Sequence, residues 1–294
     1  MLTPLAVRFI YAIAYIVLAP FIGGLLEGIG RKISARMQRR VGPPLLQPFY
    51  DISKLLKKKR SQVTRAQGFL LTSYMLLIIF TGAMLFFGTD MLMCFLMLST
   101  AALFLYLAGC VTTSPYSSLG AQRELIQEMA YEPAILLTAL GFYLAVGSFD
   151  VEAIHNSPVS PIMIIPGFFV AFVFILTIKM RKSPFDESTS HHPHQELVKG
   201  LTSEMSGRNL AIFNVTEWYE TVFLLAVVFL FIKNSSAPLV SGLVGIGVVL
   251  LTYFLEILID NTSARVHWER MLTLTWAVTL CSCGVNLLVL MIVR

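Results

Sequence analysis

Eight stretches of this chain run for about 20 residues each with scarcely a charge, and that pattern leaves few folds open. They cover residues 7–28, 68–87, 91–111, 129–146, 162–180, 211–232, 239–258 and 271–293. About 20 apolar residues, wound as a helix, match the hydrocarbon thickness of a bilayer. Lipid offers no partners for open backbone groups, so only helices or closed barrels can span it. The alternating pattern of a barrel strand is absent. Charged residues make up only 13% of the chain, about half the soluble norm of roughly 25%. The expectation is an all-α integral membrane protein with about eight transmembrane helices. The first apolar run lacks a basic leader and a small-residue cleavage site, so it reads as a span and not a signal peptide. No repeat, linker or low-complexity tract divides the chain, and residues 1–294 read as one polytopic domain.

The charges between the spans are one-sided. Segments at about 31–66, 112–127, 181–208 and 261–270, with Lys179 at the edge of one, hold nineteen of the 22 Lys and Arg residues. Only Arg8, Lys233 and Arg294 fall on the other side. The positive-inside rule places the basic loops in the cytoplasm and both termini outside. A net charge of +5 would suggest nucleic acid in a soluble protein. Here the bilayer's anionic leaflet and a protein partner are the expected destinations, and no nucleic acid is.

Eleven of the basic residues crowd into residues 31–65. Arg31, Lys32, Arg36, Arg39 and Arg40 come first, and Gly42-Pro43-Pro44 then breaks the chain. Over residues 45–56, apolar Leu45, Phe49, Ile52 and Leu56 recur at helical spacing, closed by Lys57, Lys58, Lys59 and Arg60. This predicts an amphipathic cytoplasmic helix at the membrane surface. The charge serves topology, and its excess on a shaped loop also suits the docking of a soluble partner.

Carboxylates inside a membrane are costly and point to function. Glu124, Glu128 and Glu132 recur at i, i+4 and i+8, one helical stripe running into the fourth span, with Pro133 behind it. Proline there favours a kink or a helix start. Glu217 and Glu220 flank Trp218 and Tyr219 in the sixth span, where the aromatics also suit an interfacial belt. Glu27, Glu256 and Asp260 lie at span ends, where solvation or pairing with Lys and Arg is expected. Carboxyls withdrawn from water can exchange protons near neutral pH, and close pairs share them. Such a chain of groups, with water, makes a proton relay.

The segment around the first loop resembles the first-loop signature of a membrane subunit shared by two enzymes. These are respiratory complex I, where it is subunit 1, and energy-converting membrane-bound nickel–iron hydrogenases. The AYEP segment at 130–133, SPFD at 183–186, QEL at 195–197, SEMSG at 203–207 and NTSARVH at 261–267 extend the resemblance over essentially the whole chain. Gly42-Pro43 runs almost directly into Leu45, whereas complex I carries several more residues there, and Gly30 stands where an acidic residue usually precedes the Arg-Lys pair. That shortening resembles the hydrogenase branch, as does the Ser-Thr-Ser-His-His stretch at 188–192, and it weighs against a quinone chamber.

The resemblance implies that Glu132 and Glu217 belong to a buried acidic path, with Asp186, Glu196 and Glu204 at the redox-module interface and the path's entrance. Glu128, Glu132, Glu204, Glu217 and Glu220 are the expected proton path. Arg36, Arg39, Arg40, the Gln47-Pro48 step, Asp51, Asp186 and Glu196 are the expected docking positions.

No metal site is expected. His191, His192 and His194 are interrupted by Pro193 and lack cysteine companions, so hydrogen bonding or proton buffering suits them better. His155 and His267 read as loop residues. Cys94, Cys110, Cys281 and Cys283 lie in apolar runs, and the chain lacks the CxxC pairs that iron–sulfur clusters use.

The leading expectation is a non-catalytic anchor and coupling subunit in a prokaryotic cell membrane. It would link ferredoxin-dependent hydrogen chemistry to H+ or Na+ movement. The nickel–iron centre and iron–sulfur clusters would belong to partners: hydrogenase large and small subunits and a ferredoxin-like subunit, beside antiporter-like membrane subunits. The rivals are the quinone-site subunit of a complex I-like dehydrogenase and a stand-alone proton or sodium carrier.

Overall fold

The computed structural model describes residues 4–59, 64–182, 184–185, 188–189 and 199–293. Eleven α-helices follow one another among them: α1 Pro4–Met37, α2 Gln47–Lys57, α3 Arg65–Phe87, α4 Met91–Cys110, α5 Pro115–Val146, α6 Val151–His155, α7 Pro161–Ile164, α8 Pro166–Lys179, α9 Arg208–Ile232, α10 Pro238–Thr262 and α11 Trp268–Val293. A 3-10 turn at Gly200–Thr202 precedes α9. No strand occurs among the described residues. Seven helices (α1, α3, α4, α5, α9, α10 and α11) are long and apolar enough to cross a membrane.

The span expected at 162–180 is divided. Pro166 has no N–H to donate, and it pushes the preceding residue out of helical geometry. Ile165 accordingly sits at φ −121°, ψ 53°, and α7 ends there. Asn286 on α11 donates to the Ile164 carbonyl at 3.2 Å, satisfying a group the break exposes. What remains, α8, has 14 residues and is about 21 Å long, short of the roughly 30 Å hydrocarbon layer.

Helix α5 differs in the opposite sense. The segment 112–127, read as a loop, is helical from Pro115, and the helix continues through Pro133 without ending. Its polar residues explain both the reading and the outcome. Glu124, Gln127 and Glu128 look like loop residues in sequence, yet all three are buried against neighbouring helices. In the first loop, α1 likewise extends to Met37 and carries Arg31, Lys32 and Arg36 on its last turns. The expected amphipathic helix forms as α2, whose Phe49 ring packs against Phe21 and Trp218 with centroids 6.3 and 5.3 Å away.

The core is organised around α9, the most enclosed of the long helices, with 67% of its apolar window buried against 22% for α11. Phe231 of α9 is fully buried between Phe142, Phe169 and Phe172, at centroid distances of 4.4, 5.3 and 6.0 Å. Lipid is as apolar as these side chains, so close packing and not water exclusion selects this arrangement.

The basic segments meet at one end. Gln38 bonds Asn261 at 3.1 Å, Phe185 bridges Val266, and Gly207 lies against the Leu55 and Lys59 carbonyls. At the opposite end Arg8 pairs with Glu152, and the Met91 N–H donates to the Phe149 carbonyl at 2.9 Å. At the basic end the Gly200–Thr202 turn rests directly on α5: a Cβ on Gly120 would lie 2.2 Å from the Leu201 nitrogen. Gly120→Ala must therefore displace backbone, at a cost of about 1–3 kcal/mol. We expect a lowered Tm and faster amide exchange at Leu201, both measurable by hydrogen-exchange mass spectrometry with a thermal series.

Candidate functional site

The short length of α8 brings two cations into the protein. Lys179, its last residue, is buried, and Arg181 follows with a left-handed backbone at φ 50°. Four carboxylates from α5 and α9 surround them. Arg181 makes a two-pronged contact with Glu124, both N···O distances being 2.9 Å. Its Nε also reaches Glu217 at 3.1 and 3.2 Å. Lys179 pairs with Glu220 at 2.9 Å and lies 4.4 Å from the Tyr131 ring centre. Tyr131 donates to Glu128, and Tyr74 of α3 donates to Glu220 at 3.0 Å. Ser188 donates to Glu124 and accepts from Arg181 at 2.7 Å.

Burial alone would disfavour the Arg181 charge, but the Glu124 and Glu217 carboxylates reverse that and hold its pKa well above the ordinary guanidinium value. Among the described residues of this cluster, four carboxylates face two cations. One oxygen of Glu128 is buried with no hydrogen-bond partner among the described residues. Beside the cluster is a cavity of about 10 Å³, lined by Tyr74, Glu124, Tyr131, Lys179, Arg181 and Glu220. That is room for about one water molecule. The arrangement can hold protons on buried carboxyls and pass them between carboxyl, phenol and water.

Of the residues expected on a proton path, Glu128, Glu217 and Glu220 meet here. Glu132 is half-buried, and neither it nor the half-buried Glu204 joins the cluster. Glu124, left between loop and function in the sequence, is a central member, and Lys179, Arg181, Tyr74, Tyr131 and Ser188 were not singled out at all. Lys179 and Arg181 look like ordinary charges at a span's end. The signal that could have found them is Pro166, which shortens the helix and draws its end inward.

A second polar line joins the first loop to α9. Trp218, next to Glu217, donates its indole N–H to Glu27. Arg31 binds Glu27 at 2.5 Å and Asp51 of α2 at 2.7 Å, and Gln47 donates to Asp51 at 3.0 Å. Desolvation works against the Asp51 charge, but hydrogen bonds from Arg31 and Gln47 outweigh it and hold its pKa below the ordinary aspartate value. The link is thus fully present above that ordinary value and is lost as pH falls through the depressed one. Asp51→Asn should mimic the acid state at neutral pH, loosening α2 and exposing Trp218, with red-shifted tryptophan emission as the readout. Asp51 and Gln47 are thus engaged within the chain and Pro48 is buried, whereas Arg36, Arg39 and Arg40 are exposed. Asp186, Glu196, His191, His192 and His194 lie outside the described residues.

Among the described residues no group of three His, Cys, Asp or Glu side chains is arranged to hold a metal ion. Cys94 and Cys283 are buried, Cys110 and Cys281 exposed, and all four are free cysteines.

A polytopic helical membrane protein with a buried carboxylate–cation cluster set against its basic end is the class that this fold and site define. The chain belongs to the NADH dehydrogenase family, whose model matches residues 10–291. It is 30% identical over 297 residues to Hydrogenase-4 component C of Escherichia coli, covering 91% of each chain. Formate hydrogenlyase subunit 4 of the same organism is 27% identical, over 86% of this chain and 89% of that one. NADH-ubiquinone oxidoreductase chain 1 of Mycosarcoma maydis is 28% identical over 84% of each. A chain in the structure of the membrane-bound sulfane sulfur reductase, an archaeal respiratory membrane complex, shares the fold. Its TM-score is 0.79 at 19% identity, over 96% of this chain and 99% of that one.

Proposed function

We propose that this chain is the membrane anchor and coupling subunit of a multisubunit, ferredoxin-dependent energy-converting hydrogenase in a prokaryotic plasma membrane. It docks a redox module at its basic end and links electron transfer to H+ or Na+ movement. The buried six-charge cluster carries this reading. Six charged groups withdrawn from water cost more than an apolar core of equal volume, so they point to work and not to stability. Their excess of two carboxylates gives the cluster a place for protons, and phenol hydroxyls and a water-sized cavity give it a route.

The relatives named for hydrogenase-4 and formate hydrogenlyase support the choice of partner, as does the short first loop. The nickel–iron centre and iron–sulfur clusters belong, on this reading, to large, small and ferredoxin-like partner subunits, with antiporter-like subunits alongside in the membrane. The line Gln47–Asp51–Arg31–Glu27–Trp218 gives a docked module a physical connection to the helix that carries Glu217 and Glu220.

Purifying the tagged chain from its native membrane tests the assignment. A nickel-containing partner is expected to come with it; a quinone-reducing module without nickel overturns the reading. Charge reversal at Arg36, Arg39 and Arg40 should release the soluble subunits while the membrane subunits stay together. Unchanged co-purification removes the docking role from that patch.

A further inference from the structure

Glu256 on α10 lies outside the cluster and outside every interaction described so far. Its position near a helix end suggested solvation or pairing, but it is fully buried. Neither carboxyl oxygen has a hydrogen-bond partner among the described residues. Its immediate neighbours in the helix, Tyr253 and Ile257, pack with Leu225, Leu26, Ile33, Met180 and Val249. An anion in such surroundings is prohibitively costly, whereas a neutral carboxylic acid is tolerable.

The charges facing it are few. Lys182, after α8, and Asp260, one turn on along α10, act on it electrostatically. Lys182 and Asp260 face each other at 3.9 Å and are both partly exposed. On α1, Glu27 is engaged by Arg31 and Trp218. On α9, Glu217 is held by Arg181 and Glu220 by Lys179.

We propose that Glu256 is a proton-binding site separate from the cluster, loaded as a neutral acid and exchanging its proton through Asp260. The two residues stand at i, i+4, about 6 Å apart along the helix. A proton leaves the Glu256 carboxyl through a water to the Asp260 carboxylate, and from there to solvent at the basic end. Lys182, released from Asp260 as that group becomes neutral, then compensates the Glu256 anion. Lys182 is the residue after Arg181, so the two proton-binding places share one stretch of backbone. Glu256 loads and releases its proton whether or not the cluster conducts.

Infrared difference spectroscopy on the assembled complex tests it. A protonated-carboxyl carbonyl band is expected that Glu256→Gln removes and Glu128→Gln leaves in place. In Asp260→Asn the band should persist while its shift on transfer to heavy water slows by about tenfold or more. A full set of bands in Glu256→Gln overturns the site, and an unchanged exchange rate in Asp260→Asn overturns the route. Glu256→Leu gives a second check. Removing a buried, unpartnered acid should leave Tm equal or higher; a lower Tm would mean that a partner holds the carboxylate, and would overturn the proposal.

Discussion

Arg181→Met will cost the protein about 3–5 kcal/mol and leave little assembled complex in the membrane, because it strands charges that no other described cation pairs with. Buried Glu124 loses a two-pronged partner, and half-buried Glu217 loses its cation. Lys179 cannot replace it, being already engaged with Glu220 at 2.9 Å. Arg181→Lys should recover only part of the loss, since one ammonium cannot reach two carboxylates in the guanidinium's fork geometry. The triple variant Arg181→Met, Glu124→Gln, Glu217→Gln should assemble again, because it removes the charges together. Thermal stability in detergent with subunit recovery gives the readout. If Arg181→Met assembles normally, the network does not hold these helices.

Glu128→Gln should leave assembly and electron transfer intact while abolishing the ion gradient. The change keeps the side chain's shape and takes away the carboxyl that, among the described residues of the cluster, has an unpartnered oxygen and no ion pair. Glutamine cannot accept and release a proton, so a relay through this point falls by at least about a hundredfold. Reconstituted complex should therefore turn over without acidifying or alkalinising its vesicles. Glu132→Gln, one helical turn beyond Glu128 on α5 and outside the cluster, should reduce pumping far less. If Glu128→Gln pumped at the normal rate, proton transfer through this cluster would be excluded.

Much of this was legible in the chain itself, for a simple physical reason. A run of about 20 apolar residues has almost one structural meaning in lipid, so the long helices could be read directly. The amphipathic α2 was readable because Phe49 and Ile52 recur at helical spacing beside a closing Lys run. The interior was harder. A glutamate at a helix end facing water and one facing the bundle look alike in sequence. Glu256 was read as solvated or paired, Glu124 was left between a solvated loop residue and a member of the functional stripe, and both are buried. Glu132, further into its span than Glu124 or Glu128, is more exposed than either Glu124 or Glu256. Depth along a span and enclosure within a bundle are different quantities, and a single sequence reports only the first. Pro166 was visible too, but its effect, drawing Lys179 and Arg181 inward, depends on the neighbouring helices.

The contact at Gly120 carries a mechanical consequence. Peptide rests on peptide there, with no side chain between the Gly200–Thr202 turn and α5. The same turn binds the Ser188 carbonyl through the Leu201 N–H at 2.9 Å, and the Ser188 hydroxyl binds Glu124. Side chains act as springs; they absorb small displacements by changing rotamer. Where they are missing, a linkage has no backlash. A movement forced on this turn is therefore passed to the α5 backbone at Gly120 directly, as through a rigid bearing, while Glu124 feels it through the Ser188 hydroxyl.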